Sequence, residues 1–189
     1  MALGPVAVLV PVKAFTDAKV RLAPALPPWR RAALAQVMAE RVLAAARGLP
    51  VAVVCDSPEV ASWAASQGAI VLAEPGRGLN GAVSAGVDQL AAAGARQVIV
   101  AHADLPLATD LAWVSWFPAG VTVVPDRRRD GTNVICVPTR VGFEFSYGPG
   151  SFGRHVAEAR RLDLPVRVVT EPLLAWDVDV PADLDYALS

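Results

Sequence analysis

Three clusters in the last third of the chain carry residue types that do chemistry. The first is Asp130-Gly131-Thr132-Asn133. The second is Tyr147-Gly148-Pro149-Gly150-Ser151-Phe152, followed by His155. The third is Asp177-Val178-Asp179-Val180-Pro181-Ala182-Asp183-Leu184. Glycine and serine let a backbone approach an anion and aim N–H groups at it. Paired aspartates are hard oxygen ligands suited to Mg²⁺. A phosphate cradle beside a metal site is what phosphoryl or nucleotidyl transfer requires.

The first half adds cations and glycines. Lys13 and Lys19 are the only lysines, and Arg21 follows them. Lysine is a compact point charge and arginine a fork, so the three either hold a triphosphate or form a solvated basic loop. Gly76-Arg77-Gly78-Leu79-Asn80-Gly81 spells G-x-G-x-x-G. One reading is a dinucleotide loop, with Asp104 as its ribose-binding acid. A second is a loop in which Gly76, Gly78, Leu79 and Asn80 approach a nucleobase. A third is a tight turn into a capped helix. Glu74-Pro75 stands between strand and glycines, which counts against the dinucleotide reading.

His102-Ala103-Asp104-Leu105-Pro106-Leu107 ends an apolar run. Asp104 is there either a site carboxylate or the cap of a helix from Thr109. His102 reads as a packing neighbour. Arg127-Arg128-Arg129 reads as a solvated loop or as a steering patch for an anion. Ser151 and His155 are four apart, but no nucleophile elbow surrounds them. Ser151 is therefore read as a phosphate-binding hydroxyl. Asp177 and Asp179 alternate, so in a strand both would face one way; the two readings are that one of them completes a metal site with Asp104, or that they form a C-terminal acidic loop with Asp179 as a cap.

These residues need elements to position them. Strand-length, β-branched runs occur at 6–10, 51–55, 69–72, 97–101, 121–124, 134–137 and 166–169. Helical spacing covers 29–47, 58–67 and 79–93, with Ser57-Pro58 as a start signal and Gly94 as a stop. Strands alternating with helices predict an α/β fold, one domain over 1–189, with a mainly parallel sheet flanked by helices. Ligands on such sheets bind at the carboxyl ends of the strands. Lys13, the glycines and Asp104 all follow strands.

Composition excludes several classes. The 189 residues are 54% hydrophobic and 19% charged, enough for a real core. A net charge of −1 argues against nucleic-acid binding by bulk electrostatics. Cys55 and Cys136 are too few and too far apart for a metal knuckle and read as small core residues. No charged segment precedes an apolar stretch at the N-terminus, and no apolar run reaches the roughly 20 residues of a membrane span. A cytoplasmic protein without membrane partners is expected.

Together these residues resemble the 2-phospho-L-lactate guanylyltransferase family and its phosphoenolpyruvate-using members, which act in making the deazaflavin coenzyme F-420. The resemblance rests on Pro11-Val12-Lys13 with Ala18-Lys19-Val20-Arg21-Leu22, on Gly78-Leu79-Asn80, on Ala103-Asp104-Leu105-Pro106-Leu107 and on the three C-terminal clusters. The Gly-Thr-Asn and Tyr-Gly-x-Gly-Ser-Phe clusters are its specific parts. His102 departs from it, standing where an apolar residue is expected. The resemblance implies a Rossmann-like, glycosyltransferase-A-type nucleotidyltransferase fold, GTP, Mg²⁺ and a small phosphorylated three-carbon acid as acceptor. It implies that Lys13, Lys19 and Arg21 stabilise departing pyrophosphate. It puts the metal on Asp104 with Asp177 or Asp179, and the acceptor on Thr132, Asn133, Gly148, Gly150 and Ser151. A downstream transferase of the same pathway is an implied partner. An Arg-rich, Lys-poor composition leans toward the bacterial, phosphoenolpyruvate-linked members. Rival readings are a nucleotidyltransferase for a molybdopterin or sugar-phosphate acceptor, a dinucleotide-binding oxidoreductase, and a nucleotide-binding module without turnover.

Overall fold

A computed structural model describes residues 3–46, 48–74 and 76–184. Each of the seven apolar runs forms a strand. They are β1 Val6–Pro11, β2 Val51–Cys55, β3 Ile70–Ala73, β4 Gln97–Ala101, β5 Val121–Pro125, β6 Thr132–Pro138 and β7 Val166–Val168. They make one sheet in the order β3-β2-β1-β4-β6-β5-β7. β6 alone runs against its neighbours, pairing antiparallel with β4 and β5.

The helices are α1 Pro28–Ala44, α2 Pro58–Ser66, α3 Gly78–Ala92, α4 Ser151–Arg161 and the single turn α5 Pro172–Ala175. Arg47, the expected end of the first helix, lies outside the described residues, as does Pro75. Ser57 caps α2 by accepting from the Val60 amide. α3 ends in a Schellman turn: Gly94 has φ +110°, its amide bonds Ala91 O, and the Ala95 amide bonds Leu90 O. No helix starts at Thr109. Asp110 instead accepts from the Ala112 amide at 2.9 Å and opens a short 3-10 turn, Ala112–Ser115.

Alternation along the strands builds two cores. In β1, Val8 and Val10 face the layer of α1 and α2, with Ala39, Val42, Val60 and Ala64. Ala7 and Leu9 face the layer of α3 and α4, with Val83, Val87, Leu90 and Ala159. Burial on both faces explains why the strands read as unbroken apolar runs. Gly86 permits a close approach of α3 to β1: a Cβ there would stand 2.8 Å from Leu9 Cδ2. Cys55 and Cys136 are both free thiols buried in this core, and burial pushes the Cys136 thiol up to about 12.

Candidate active site

β1 and β4 lie side by side, and the chain leaves them toward opposite halves of the sheet. Such a reversal opens a crevice at the strands' carboxyl ends. A cleft of about 720 Å³ occupies it, and Lys13, Lys19, Arg21, His102, Asp104 and Asp179 are among its walls. Two 3-10 turns follow β1, Phe15–Asp17 and Val20–Leu22; Lys13 precedes them and Arg21 lies in the second. Lys19 sits between them in the left-handed region at φ 55°, where a β-carbon is crowded. That conformation directs its ammonium to Asp104 Oδ2 at 2.5 Å. Arg21 reaches Asp179 Oδ2 at 2.5 Å.

The acids come from two distant stretches. Asp104 follows β4, and the Val178 amide donates to its carbonyl at 3.3 Å. Residues 177–179 therefore run beside Asp104, as an irregular segment and not as the strand their alternation suggests. Burial raises the Asp104 carboxyl, but Lys19 and His102 outweigh it and hold the group below its usual range. Burial, then the neighbouring Asp104 charge, pushes Asp177 up. Asp104 Oδ1 is buried with no partner among the described residues. A carboxylate oxygen left bare beside a second acid fits a hard divalent cation. Mg²⁺ takes few protein ligands and fills its shell with water and phosphate. Among the described residues no group of three or more acid, His or Cys side chains is placed to hold a metal ion by itself.

Arg127 anchors this acidic segment. Its guanidinium pairs with the Asp183 carboxylate, donates to Asp177 O at 3.2 Å, and lies 4.2 Å over the Trp176 ring. Asp183 in turn accepts from the Asp179 and Val180 amides, each at 2.8 Å. The Arg triplet thus contains one structural arginine, half-buried. Arg129 lies over Phe152.

The second cluster reaches the same edge because β6 runs backwards. An antiparallel strand begins where its neighbour β4 ends, so the His102 amide bonds Asn133 O at 3.0 Å. Thr132 points toward α4 and Asn133 to the other face, where its amide donates to Leu174 O at 3.0 Å. Ser151 Oγ accepts from the Thr132 amide at 3.0 Å, and His155 Nδ1 lies 3.0 Å from Thr132 Oγ1. Gly150 N–H donates to Asp130 Oδ2 and the Phe152 amide to Asp130 O. The Arg154 guanidinium collects the carbonyls of Ser146, Gly148 and Pro149. The Gly148 amide, at φ +112°, has no acceptor among the described residues.

A row of rings joins the two clusters. His102, in the cleft wall, packs 4.9 Å from Tyr147, and Tyr147 packs 4.9 Å from His155. His102 Nε2 and the Tyr147 hydroxyl are both buried without partners among the described residues.

Comparison with known proteins settles the family. Residues 6–188 match the family "Guanylyl transferase CofC like". The chain belongs to this family. Phosphoenolpyruvate guanylyltransferase of Sphaerobacter thermophilus is 37% identical over 185 residues, covering 94% of this chain and 89% of that protein. The Rubrobacter xylanophilus protein of the same name is 39% identical, covering 93% and 90%. A solved structure from Desulfovibrio desulfuricans superposes with a TM-score of 0.76 at 17% identity, over 97% of this chain and 86% of that one. The 2-C-methyl-D-erythritol 4-phosphate cytidylyltransferase of Thermus thermophilus gives 0.57 at 21% identity, over 99% and 97%. The fold is that of nucleotidyltransferases, as expected.

Within this family frame the structure sorts the expected site residues. Lys13, Lys19, Arg21, Gly78, Leu79, Asp104 and Asp179 all line the cleft. Gly76, at φ 77°, shapes the turn before α3 and stands outside the wall. Asn80 Oδ1 accepts from the Tyr147 amide at 2.7 Å and ties α3 to the second cluster, instead of facing the cleft. Thr132, Ser151, Gly148 and Gly150 gather at one place, whereas the Asn133 side chain is spent on α5. The dinucleotide reading fails on topology: the glycines follow β3, the outermost strand, not the central β1. The sequence does not single out Arg154, the anchoring role of Arg127 or the ring contacts of Tyr147. Their signals, an arginine near the acids and an aromatic beside the glycine turn, have meaning only once the partners are adjacent. No helix among the described residues is long and apolar enough to cross a membrane.

Proposed function

We propose that this chain transfers GMP from GTP to the phosphate of phosphoenolpyruvate, releasing pyrophosphate, as a step toward the deazaflavin coenzyme F-420. An oxygen of the acceptor's phosphate attacks the α-phosphorus. The bond from that phosphorus to the bridging β-oxygen breaks, and the electron pair leaves with pyrophosphate. The attacking oxygen is already ionised, so no general base is needed. What the protein must supply is alignment and charge neutralisation.

The observation that carries the reading is the bare Asp104 oxygen in a cleft whose opposite wall is cationic. Asp104 with Asp177 or Asp179 would hold Mg²⁺, which when bound neutralises phosphate oxygens and fixes their angles. Lys13, Lys19 and Arg21 bind the β- and γ-phosphates and stabilise the departing pyrophosphate. Gly78 and Leu79 leave room for the base. Thr132, Ser151 and the Gly148 amide take the acceptor's phosphate and carboxylate. The names of the curated relatives favour phosphoenolpyruvate over 2-phospho-L-lactate.

The test is pyrophosphate release from each nucleoside triphosphate with Mg²⁺ and either acid. Release with GTP and phosphoenolpyruvate is expected. Faster release with 2-phospho-L-lactate changes the acceptor, equal use of ATP or CTP removes the guanine preference, and no release with any pair rejects the activity.

A further inference from the structure

We infer that His155 is a positioning residue: it turns the Thr132 hydroxyl into a hydrogen-bond donor aimed at the acceptor. This rests on the acceptor-site reading above. His155 is fully buried on α4, one turn after Ser151. Its two ring nitrogens have different partners. The Ser146 amide lies 3.0 Å from Nε2, and an amide can only donate. Nε2 is therefore the unprotonated nitrogen. A neutral imidazole then carries its proton on Nδ1, which points at Thr132 Oγ1 at 3.0 Å. Rings of Phe143, Phe145 and Tyr147 surround it. Burial, then the nearby Arg154 charge, pushes its pKa down to about 4, which keeps it neutral.

The direction of each bond fixes what remains. Thr132 Oγ1 accepts from His155, so its own proton must go elsewhere. Ser151 Oγ accepts from the Thr132 amide, so its proton is left over as well. Neither hydroxyl proton has an acceptor among the described residues. Two hydroxyls set as donors, beside the unpaired Gly148 amide, match a ligand group that only accepts. An ionised phosphate or carboxylate is such a group. Had His155 carried its proton on Nε2, Thr132 would have to donate to Nδ1, and only the Ser151 hydroxyl and the Gly148 amide would be left for the anion.

Asparagine and glutamine separate the two nitrogens. The asparagine amide falls near Nδ1 and keeps a donor to Thr132. The glutamine amide falls near Nε2 and keeps an acceptor for Ser146. His155→Gln is expected to raise the acceptor KM roughly ten-fold, the loss of one bond to a charged group, with GTP KM unchanged. His155→Asn is expected to stay within about three-fold of the parent, although both variants lose similar thermal stability. In a Thr132→Val background His155→Gln should have no further effect on acceptor KM. Equal KM effects of Asn and Gln, or additivity in the double variant, would overturn the inference and leave the acceptor site standing. An unchanged acceptor KM in Thr132→Val alone overturns the site and the inference together. Imidazole ¹⁵N NMR of the unsubstituted protein is independent of folding defects: a proton on Nδ1 is expected, and a proton on Nε2 refutes the mechanism.

Discussion

The cleft and the glycine turn are held together by opposite means. In the cleft, two cations are held by direct contact with counter-charges: Lys19 by Asp104 and Arg21 by Asp179, each at 2.5 Å. At the turn, neutral groups hold one another in a buried network of amide, hydroxyl and imidazole. The difference follows from the ligands. In the proposed reaction a triphosphate must enter and pyrophosphate must leave, so its partners need to be exchangeable. The exposed Arg21–Asp179 pair is exchangeable because water compensates each separated charge, whereas the Lys19–Asp104 pair is more buried. A small acid must be recognised by shape, and that needs donors whose angles are fixed beforehand. Rigid donors come at least cost from groups already hydrogen-bonded on their other side.

Asp104→Asn breaks the cleft most. It leaves the shape and removes the charge that pairs with Lys19 and that the proposed function gives to the metal. Turnover is expected to fall by about 10²-fold or more, the scale of losing one transition-state charge partner. Thermal melting should move little. Near-normal turnover at limiting Mg²⁺ would take Asp104 out of the metal site.

Arg127→Ala tests whether the acidic segment depends on its anchor. Asp183 is buried and would lose its cation while keeping two amide donors. Because Arg127 is only half-buried, a loss of about 2–3 kcal/mol is expected in urea unfolding, below the range for fully buried pairs. Arg127→Lys should recover only part of it, since lysine cannot lie flat on Trp176. Full recovery by lysine would show that charge alone matters.

Ser151→Ala probes the turn. Acceptor binding should weaken by about 1–3 kcal/mol, with GTP affinity unchanged. An equal rise in both KM values would mean that Ser151 serves the whole site and not the acceptor.

Acid sharpens the contrast further. His155 titrates near its ordinary 6.5 when unfolded and near 4 when folded. Between those values the unfolded chain binds a proton that the folded chain refuses, so stability falls as pH drops from 6.5 to 4. The slope from this group is at most about 1.4 kcal/mol per pH unit. His155→Phe should flatten the decline seen in urea midpoints measured across that window. An unaltered decline would assign it to carboxylates.

The smallest effect belongs to Arg21→Ala. The pair with Asp179 is exposed, so stability should change by less than about 1 kcal/mol. GTP KM should still rise, and that rise should shrink at high salt. A salt-independent change would point to a shape contact instead.

Much of this molecule can be read along the chain. The five inner strands are legible because strands covered on both faces are near-continuously apolar, while the edge strands β3 and β7 are partly exposed. Lys13, Lys19 and Asp104 follow from the rule that ligands sit at strand ends, which needs only the order of elements. What no local pattern could reveal is who meets whom. Asp177 and Asp179 lie beside Asp104 through a backbone bond between residues 74 positions apart in the chain numbering, Asp104 and Val178. Their alternation suggested a strand, but the segment is shaped by the Asp183 cap and Arg127 instead. Asn80 looked like a base reader and is a tether for Tyr147. Asn133 follows Thr132 directly, yet the pleat sends it to the opposite face. Ser151 and His155 could be placed one turn apart from their spacing. That they grip Thr132 at its amide and its hydroxyl was decided by β6 running backwards into the ligand edge. A hydrogen bond takes its direction from the partner's chemistry, and only the tertiary structure chooses the partner.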